Sequence, residues 1–451
     1  MTSTLTAEQI ATRLERAPVS MWHVQARVLV GIATFFDGVD ALTIAYVLPA
    51  LIGPWHISPR SVGLLISAGY AGQLVGAIFF GWLAERVGRL AALSCTILVY
   101  SVCSLLCMVS WSYSSLLIFR TLQGLGLGGE VPIAAAYINE LAAAKTRGRF
   151  VLTYELVFPA GRVAAALLGV SIVARLGWRY MFLIGGLPAL LIFGLRRALP
   201  ESPRWLASQG RLREADWAVQ QIEQGALWRN GQLAQHNAAA GGERMRAKAE
   251  WADLFRGIYR WRTLLAWVLW FSAYLVLNGL STWVPTLYRT VFRTPIQTSL
   301  RYGLFTSAAG LVGCVAVALL VDRTGRRTWF AASFLLGGLA FLALWLTGAS
   351  TPITVLSYTC AGSFFANSIA MLLFLYTPEI YPTRIRALGS SVASAWLRLA
   401  SIIGPLLIGY TIGHYSLALV FLEFGCVCLA AFGASLLCVE TGGWRLEKIS
   451  P

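Results

Sequence analysis

The sequence predicts an all-α membrane protein with twelve transmembrane helices in two pseudo-symmetric halves of six. Three observations support this fold class: the chain is strongly apolar, its apolar segments recur at a length that crosses a bilayer, and its charged loop motifs repeat. Of 451 residues, 57% are hydrophobic and only 12% are charged, with a mean hydropathy of +0.67. A soluble chain of this size would expose more charge to water, so we predict a protein embedded in lipid.

Apolar segments recur from Val24 to near the C-terminus, each of about 20 residues, the length that crosses a bilayer about 30 Å thick. The predicted spans are 24–49, 62–84, 90–111, 115–142, 150–174, 178–195, 263–288, 300–321, 328–348, 353–377, 386–412 and 416–438. The leader before the first apolar segment is polar, amphipathic and without a cleavage site. The first apolar segment is therefore predicted to be a transmembrane span rather than a signal peptide.

The basic residues indicate the orientation of these spans. If the N-terminus is cytoplasmic, most of the 36 Lys and Arg residues lie in cytoplasmic tails and loops. This asymmetry follows the positive-inside rule, and an even number of spans places both termini in the cytoplasm. The net charge of +16 is therefore expected to set the topology in a bacterial inner membrane and to contact anionic lipid, not nucleic acid.

A polar stretch divides the chain, and loop motifs repeat on its two sides. We predict an N-terminal half at 1–199, a cytoplasmic linker with a short amphipathic helix (Leu212–Gln224) at 200–262, and a C-terminal half at 263–451. The repeated features are the loops Gly81–Arg89 and Val321–Arg327, the pairs Glu140/Arg147 and Glu379/Arg386, and Arg162 and Arg398, each separated by 236–239 positions. Such a repeat predicts two parallel halves with substrate near the midplane.

These motifs resemble the major facilitator superfamily over the whole chain. The superfamily resemblance rests on the acid-Arg-x-Gly-Arg loops, Arg120-x-x-x-Gly-x-Gly-x-Gly and Pro200-Glu201-Ser202-Pro203-Arg204. Asp37-Gly-Val-Asp40, Gly126-Leu-Gly-Gly-Glu130-Val-Pro132, Tyr376-Thr-Pro-Glu379-Ile-Tyr-Pro382-Thr-x-Ile-Arg386-Ala-x-Gly389 and Arg398-x-x-x-x-x-Gly404-Pro405 resemble bacterial niacin transporters. That group is related to aromatic-acid/proton symporters and synaptic-vesicle-type transporter homologues. The resemblance implies the major facilitator fold and rocker-switch alternating access.

The stretch Arg120–Glu130 places four glycines between a cation and an anion inside the fourth predicted span. No strand precedes it and no Lys-Ser/Thr follows, which disfavours a nucleotide-binding loop. In lipid, the glycines instead allow close helix contact. An ionised residue at the centre of a span costs about 2.5–3.5 kcal/mol even on insertion scales, so such residues tend to be functional.

The first predicted span carries two acids three positions apart, Asp37 and Asp40, which share one helix face. Each could be a buried structural acid or a protonation site. Burial favours the neutral form of a carboxylate and a nearby arginine favours the ionised form, so a movable arginine could switch the acid. Resemblance to sugar porters and related symporters implies that Asp40 faces Arg120 as the coupling pair. Asp37 is placed second and Glu130 is a further candidate relay.

Substrate charge is assigned to two arginines near the midplane of opposite halves, Arg398 first and Arg162 second. A guanidinium can hold a carboxylate in a bidentate fork, although either arginine could instead brace helices. The polar and aromatic candidates for the cavity are Asn278, Asn367, Tyr46, Tyr274, Trp283, Phe364 and Trp396, with Trp270 and Phe365 on the same spans. An aromatic slot with an arginine and an amide suits a flat heteroaromatic acid.

The loop motifs are expected to act as a gate. Their charged residues are Glu85, Arg86, Arg89, Glu140, Arg147, Asp322, Arg323, Arg326, Glu379 and Arg386. They are expected to form ion pairs and helix-end contacts that hold the outward-open state and break as it converts. Solvated charges that only set topology are the alternative, which suits a single residue better than a repeated set.

The sequence favours a transporter over an enzyme. No nucleophile or nucleotide constellation is evident, the four histidines form no cluster, the eight cysteines lack paired CxxC spacing, and neither cofactor nor metal is expected. We predict a monomeric proton-coupled symporter that imports a small aromatic monocarboxylate, with niacin as the first candidate. A benzoate-type acid or a sugar on the same scaffold, or a receptor that does not transport, is the alternative.

Overall fold

A computed structural model describes residues 6–16, 21–141, 156–230, 251–382 and 384–442. Within these ranges the regular structure is entirely helical, which confirms the all-α prediction. The helices are α1 Ala7–Arg16, α2 Met21–Leu51, α3 Pro59–Val87, α4 Arg89–Met108, α5 Tyr113–Leu141, α6 Val157–Val173, α7 Arg179–Ala198, α8 Pro203–Ser208, α9 Leu212–Asn230, α10 Tyr259–Thr290, α11 Ile296–Thr324, α12 Arg326–Leu346, α13 Pro352–Glu379, α14 Arg386–His414 and α15 Leu417–Leu436.

Twelve of these helices occupy the positions of the predicted spans. Ten are both long and apolar enough to cross a membrane: α2, α3, α4, α7 and α10 to α15. Of the other two, α5 has 29 residues, but its charges and glycines lower its hydropathy, and α6 has 17 described residues. α6 ends in a π-helical turn, Gly169–Val173, and α7 contains a 3₁₀ turn, Leu187–Leu190.

The chain divides into two compact units. Unit 1 comprises Met1–Ala41, Gly72–Gly161 and Phe182–Gly242, and unit 2 comprises Leu42–Ala71, Arg162–Met181 and Glu243–Pro451. The predicted division at residues 199 and 262 stays a prediction.

The glycines of α5 allow close helix packing inside unit 1. A Cβ added at Gly128 would lie 2.0 Å from the carbonyl oxygen of Gln73 in α3, and one at Gly126 would lie 2.5 Å from the backbone nitrogen of Tyr100 in α4. Any side chain at these positions would separate the helices. The sequence-based interpretation of this glycine run as a packing surface is therefore confirmed.

The polar segments of unit 1 form a small helical layer. α9 covers the predicted amphipathic helix and extends it to Asn230. α1 begins with a capping box, in which Thr6 and Gln9 each accept a hydrogen bond from the other's backbone N–H. Arg13 of α1 binds Glu223 of α9 through two nitrogens, at 3.0 and 2.6 Å, and also pairs with Asp216.

Unit 2 contains α10 to α15 together with the chain ranges 42–71 and 162–181. α3 and α14 pack closely within it: a Cβ at Gly63 would lie 2.5 Å from the carbonyl oxygen of Pro405, and one at Gly409 would lie 2.7 Å from that of Pro59. Ser67 of α3 also donates a hydrogen bond to the carbonyl of Ile402, at 2.6 Å. Backbone contacts rather than long side chains therefore join these two helices.

Candidate functional site

Asp40 of α2 and Arg120 of α5, which the resemblance to sugar porters implies face each other, form a buried ion pair in unit 1. Arg120 Nη1 lies 3.3 Å from Asp40 Oδ2. Gln123 completes a triangle: its Nε2 donates to Asp40 Oδ1 at 2.8 Å, and its Oε1 accepts from Arg120 Nη1 at 2.7 Å. Asp40 is 0% exposed and Arg120 is 4% exposed. Removing one partner of a buried ion pair leaves the other charge uncompensated, which is costly. Protonation would neutralise Asp40 and remove its attraction to Arg120, and so would weaken the link between α2 and α5.

α7 approaches this pair closely at Gly185. A Cβ at that position would lie 2.9 Å from Asp40 Oδ1 and 2.4 Å from Ser104 Oγ. Ser104 of α4 donates to the carbonyl of Phe182, at 2.8 Å, which fixes α7 against α4. The carboxylate therefore lies in a compartment bounded by four helices of one unit, with glycine supplying the space.

Two further acids line the same interior. Thr34, Asp37 and Asp40 follow each other at intervals of three along α2. Thr34 Oγ1 donates to Glu130 Oε1 at 3.0 Å, and Glu130 and Asp37 are both buried. Tyr100 is close enough to all three acids for their charges to act on its hydroxyl. Among the described residues this hydroxyl has no hydrogen-bond partner. The acids thus form a row along α2 and α5 rather than an isolated site.

Arg398 lies half-buried on α14 of unit 2, beside a hydrogen bond that joins two helices. One turn further along, Ser401 Oγ accepts from Asn278 Nδ2 of α10 at 2.7 Å. Ser401 Oγ also donates to the carbonyl of Leu397, at 2.7 Å. Asn278 therefore braces α10 against α14 one helical turn from Arg398.

Arg162 lies half-buried on α6, close enough to Tyr46 and Cys314 for its charge to act on both side chains. Cys314 of α11 donates to the carbonyl of Asn367, at 3.6 Å. Asn367 Nδ2 donates to the carbonyl and the hydroxyl of Ser363, at 2.8 and 3.2 Å. The amide of Asn367 is thus bonded within its own helix, α13.

The aromatic candidates differ in exposure. Tyr46 and Trp283 are fully buried, and Tyr46 packs against Gly169 and Gly303, so these two rings fill the interior of unit 2. The other three are partly exposed and contact a second ring: Tyr274 stacks on Trp270 at 5.6 Å, Phe364 lies 5.2 Å from Phe365, and Trp396 lies 5.2 Å from Trp267. The exposed faces of these rings are the ones that could meet a ligand.

A cluster of charges joins the helix ends of unit 1. Arg89 pairs with Glu85 at 2.8 Å and with Glu140 at 3.1 Å. Glu201 Oε1 accepts from the backbone N–H groups of Arg89 and Leu90, at 2.8 and 3.0 Å, and so lies at the N-terminus of α4. A carboxylate is stabilised there by the helix dipole and by the free N–H groups. Glu140 also accepts a hydrogen bond from Ser202.

Unit 2 contains an equivalent cluster. Arg326 pairs with Asp322 at 2.9 Å and with Glu379 at 3.5 Å. Glu440 accepts from the backbone N–H groups of Arg326 and Arg327, at 2.8 and 3.0 Å, and Thr441 Oγ1 donates to Glu379 at 2.5 Å. In both clusters the helix begins after a glycine with positive φ, 106° at Gly88 and 86° at Gly325. The repeated motifs therefore build the same contacts in each unit.

The remaining gate candidates have other positions. The guanidinium of Arg86 lies 4.2 Å over the ring of Trp82, Arg323 is exposed, and Arg386 Nε donates to the carbonyl of Tyr381 at 3.3 Å. Arg147 lies outside the described residues.

Sequence reasoning missed several side chains of these clusters. Gln123 had a signal, because it is polar, lies in a span and is one helical turn from Arg120. Glu440 and Thr441 also had one, since they follow Glu201 and Ser202 by 239 positions. Gly185 had none, because its role depends on which helix packs against Asp40.

Comparison with known proteins identifies the family and the fold of the chain. The sequence profile of a family described as "Sugar (and other) transporter" matches residues 38–451. The niacin transporter NiaP of Acinetobacter baylyi is 33% identical over 442 residues, covering 98% of this chain and 99% of that protein. A putative niacin/nicotinamide transporter of Bacillus subtilis is 30% identical, covering 92% and 96%. The xylose transporter XylE from E. coli, in a partially occluded inward-open conformation, superposes with a TM-score of 0.74 at 20% identity, covering 94% of this chain and 100% of that one.

Proposed function

Because this chain belongs to the sugar (and other) transporter family of the major facilitator superfamily, we propose that it is a proton-coupled symporter that imports a small aromatic monocarboxylate. Niacin is the first candidate, and rocker-switch alternating access is the mechanism. The chain is a multi-pass membrane transporter and not an enzyme. For this protein we further propose six-helix halves joined by a cytoplasmic linker, both termini in the cytoplasm of a bacterial inner membrane, and action as a monomer.

The buried pair of Asp40 and Arg120 is the observation that carries proton coupling. Ionised Asp40 is balanced by Arg120 at 3.3 Å and by the amide of Gln123. A proton on Asp40 would remove the charge that holds Arg120 and free α5 to shift against α2. Because the pair excludes water, the two protonation states differ strongly in interaction energy, which suits a switch between conformations. Asp37 and Glu130 would extend the route for the proton along α2 and α5.

Arg398 supports an anionic substrate. Arg398 is half-buried on α14, one helical turn from the Asn278–Ser401 bond, and its guanidinium could bind a carboxylate through two parallel hydrogen bonds. Tyr274, Phe364 and Trp396 present partly exposed rings in the same unit, which would stack on a flat heterocycle. Two relatives named for niacin transport point to the same substrate class.

The charge clusters around Arg89 and Arg326 are proposed to be the gate. In each cluster an arginine pairs with carboxylates from two neighbouring helix ends. A separate carboxylate, Glu201 or Glu440, accepts the backbone N–H groups at the start of the arginine's own helix. Breaking such a cluster costs several hydrogen bonds at once, so it can hold one conformation until substrate and proton stabilise the other.

Counterflow in proteoliposomes tests the substrate assignment. Vesicles loaded with unlabelled nicotinate are expected to exchange it for labelled nicotinate, and nicotinamide and xylose at equal concentration are expected to compete poorly. Equal competition by xylose would favour the sugar alternative. A protein that binds nicotinate in a thermal-shift assay but shows no counterflow would be a receptor.

A further inference from the structure

A second polar site lies outside the proposed transport route, at the N-terminal end of α10. Asp253 of the 3₁₀ turn Trp251–Phe255 is only 3% exposed. Arg256 Nη1 and Arg384 Nη2 both lie 3.0 Å from the same oxygen, Asp253 Oδ1. Two guanidinium groups therefore converge on one carboxylate. One negative charge offsets one of the two positive charges, so the trio keeps a net charge of +1.

The outer faces of both guanidinium groups are accessible. The side chain of Arg256 is 68% exposed and that of Arg384 is 44% exposed. They border an open cavity of about 530 Å³, with Tyr259, Pro382 and Ile385 among its other walls. Since each arginine uses one nitrogen on Asp253, its remaining N–H groups can meet a second anion from the cavity side.

The walls of the cavity are fixed before any ligand binds. Thr263 Oγ1 donates to the carbonyl of Leu254, at 3.0 Å, and accepts from Tyr381 OH at 2.9 Å. Arg262 Nη1 donates to the carbonyl of Ile380, at 3.1 Å. These bonds join the 3₁₀ turn, the start of α10 and the segment after α13, so little ordering would be needed on binding.

Exposed large apolar side chains lie close in sequence to the residues that line this cationic cavity, and one of them, Ile258, lines it. Trp251 is 64% exposed, Trp261 is 60% exposed, and Phe255 and Ile258 are about half-exposed. Along α10 the exposed apolar surface continues from Trp261 through Leu264 and Val268. Tryptophans beside arginines at the end of a span are typical of the lipid headgroup level.

We propose that this cavity binds the headgroup of an anionic phospholipid, whose single phosphodiester charge matches the residual charge of the Asp253 trio. The phosphate lies between the guanidinium groups of Arg256 and Arg384. The glycerol and the first acyl carbons lie against Trp251 and Trp261. Asp253 is the positioning residue, because it holds the two cations together that would otherwise repel each other.

Native mass spectrometry of the purified full-length chain tests the proposal with three probes. Phosphatidylglycerol carries both phosphate and acyl chains, diacylglycerol lacks the phosphate, and glycerol 3-phosphate lacks the chains. Phosphatidylglycerol is expected to bind most tightly, and millimolar glycerol 3-phosphate is expected to leave it bound. Equal affinity for diacylglycerol would overturn recognition of the phosphate. One-for-one displacement by glycerol 3-phosphate would overturn the lipid as ligand and indicate a soluble phosphate.

Variants locate the site. Arg256→Gln with Arg384→Gln should weaken phosphatidylglycerol binding about 25-fold, since a basic residue near an anionic surface contributes about 1 kcal/mol, or about fivefold. The control, Arg293→Gln with Arg327→Gln, removes the same charge from two exposed positions of unit 2 and should leave binding unchanged. Equal losses in the two would overturn the site.

The double variant leaves buried Asp253 without a cationic partner and could fold poorly for that reason. A single substitution then provides a second test of the site. Asp253→Asn keeps both arginines but removes the carboxylate that holds them together, so phosphatidylglycerol binding should weaken even though the net charge of the trio rises by one. Unchanged or tighter binding would contradict the positioning role of Asp253.

Discussion

Replacement of Asp40 by asparagine removes the charge of the buried pair while nearly preserving its shape. The Asn oxygen can still accept the 2.8 Å hydrogen bond from Gln123, and Arg120 keeps its 2.7 Å bond to Gln123. Arg120, at 4% exposure, nevertheless loses its counterion. Breaking a buried pair in this way costs about 3–5 kcal/mol, which the retained hydrogen bonds should reduce.

The effect on transport is expected to exceed the effect on stability. One proton moved with one monocarboxylate anion is electroneutral, and a gradient of one pH unit is worth about 1.36 kcal/mol, or about tenfold accumulation. Wild-type proteoliposomes should approach that ratio for nicotinate. Asp40→Asn should bring the ratio to about one, while counterflow, which needs no net proton movement, continues.

Asp37→Asn is the matched control, because it removes a second buried acid from the same face of α2. Accumulation should fall less in this variant, since the ion pair with Arg120 stays intact. An Asp40→Asn protein that accumulates nicotinate as steeply as wild type would refute the assignment of Asp40 to coupling.

Three other perturbations have defined outcomes. Arg398→Ala should weaken nicotinate binding about 10- to 100-fold, as expected for loss of a charged hydrogen bond worth about 1.5–3 kcal/mol. Nicotinamide binding should change little in the same titration, and an equal loss of affinity for acid and amide would show that Arg398 does not recognise the substrate charge. Gly128→Ala should lower the melting temperature, because the added Cβ would lie 2.0 Å from a backbone oxygen and overpacking costs about 1–3 kcal/mol. The control Gly81→Ala, whose added Cβ meets nothing within 4 Å, should change the melting temperature little. Burial opposes ionisation of Glu440, but the backbone N–H groups of Gly442 and Arg326 outweigh burial and lower the pKa of this carboxyl. Glu440→Gln should therefore destabilise the protein at pH 7, and the stability difference from wild type should disappear as the pH falls from the ordinary pKa of 4.5 through the lowered value. A stability difference that does not change with pH would contradict this.

The helices and the repeated charge clusters could be predicted from sequence because they depend on local pattern. Span length, hydropathy and motif spacing are read along the chain, and the contacts of Arg89 and Arg326 follow from residues at fixed offsets. The meeting of Asp40 and Arg120 came from resemblance, not from spacing, since 80 positions separate them.

The remaining parts of the site depend on packing between distant segments. Gly185 matters only because α7 passes Asp40, and Thr34 matters only because Glu130 of α5 lies opposite it. The hydrogen-bond partners of polar side chains could not be predicted from sequence either. Asn278 could have faced a ligand, yet its amide nitrogen donates to Ser401. Likewise, composition alone could not show that Tyr46 and Trp283 are buried while the other candidate rings are partly exposed.

Accumulation of labelled nicotinate by proteoliposomes, with and without a pH gradient, tests the central claim most directly. With the interior alkaline, the protein should concentrate nicotinate about tenfold per pH unit. Dissipating the gradient with a protonophore should then release the excess until the two sides are equal. Concentrative uptake that persists after the gradient has been dissipated would contradict proton-coupled symport.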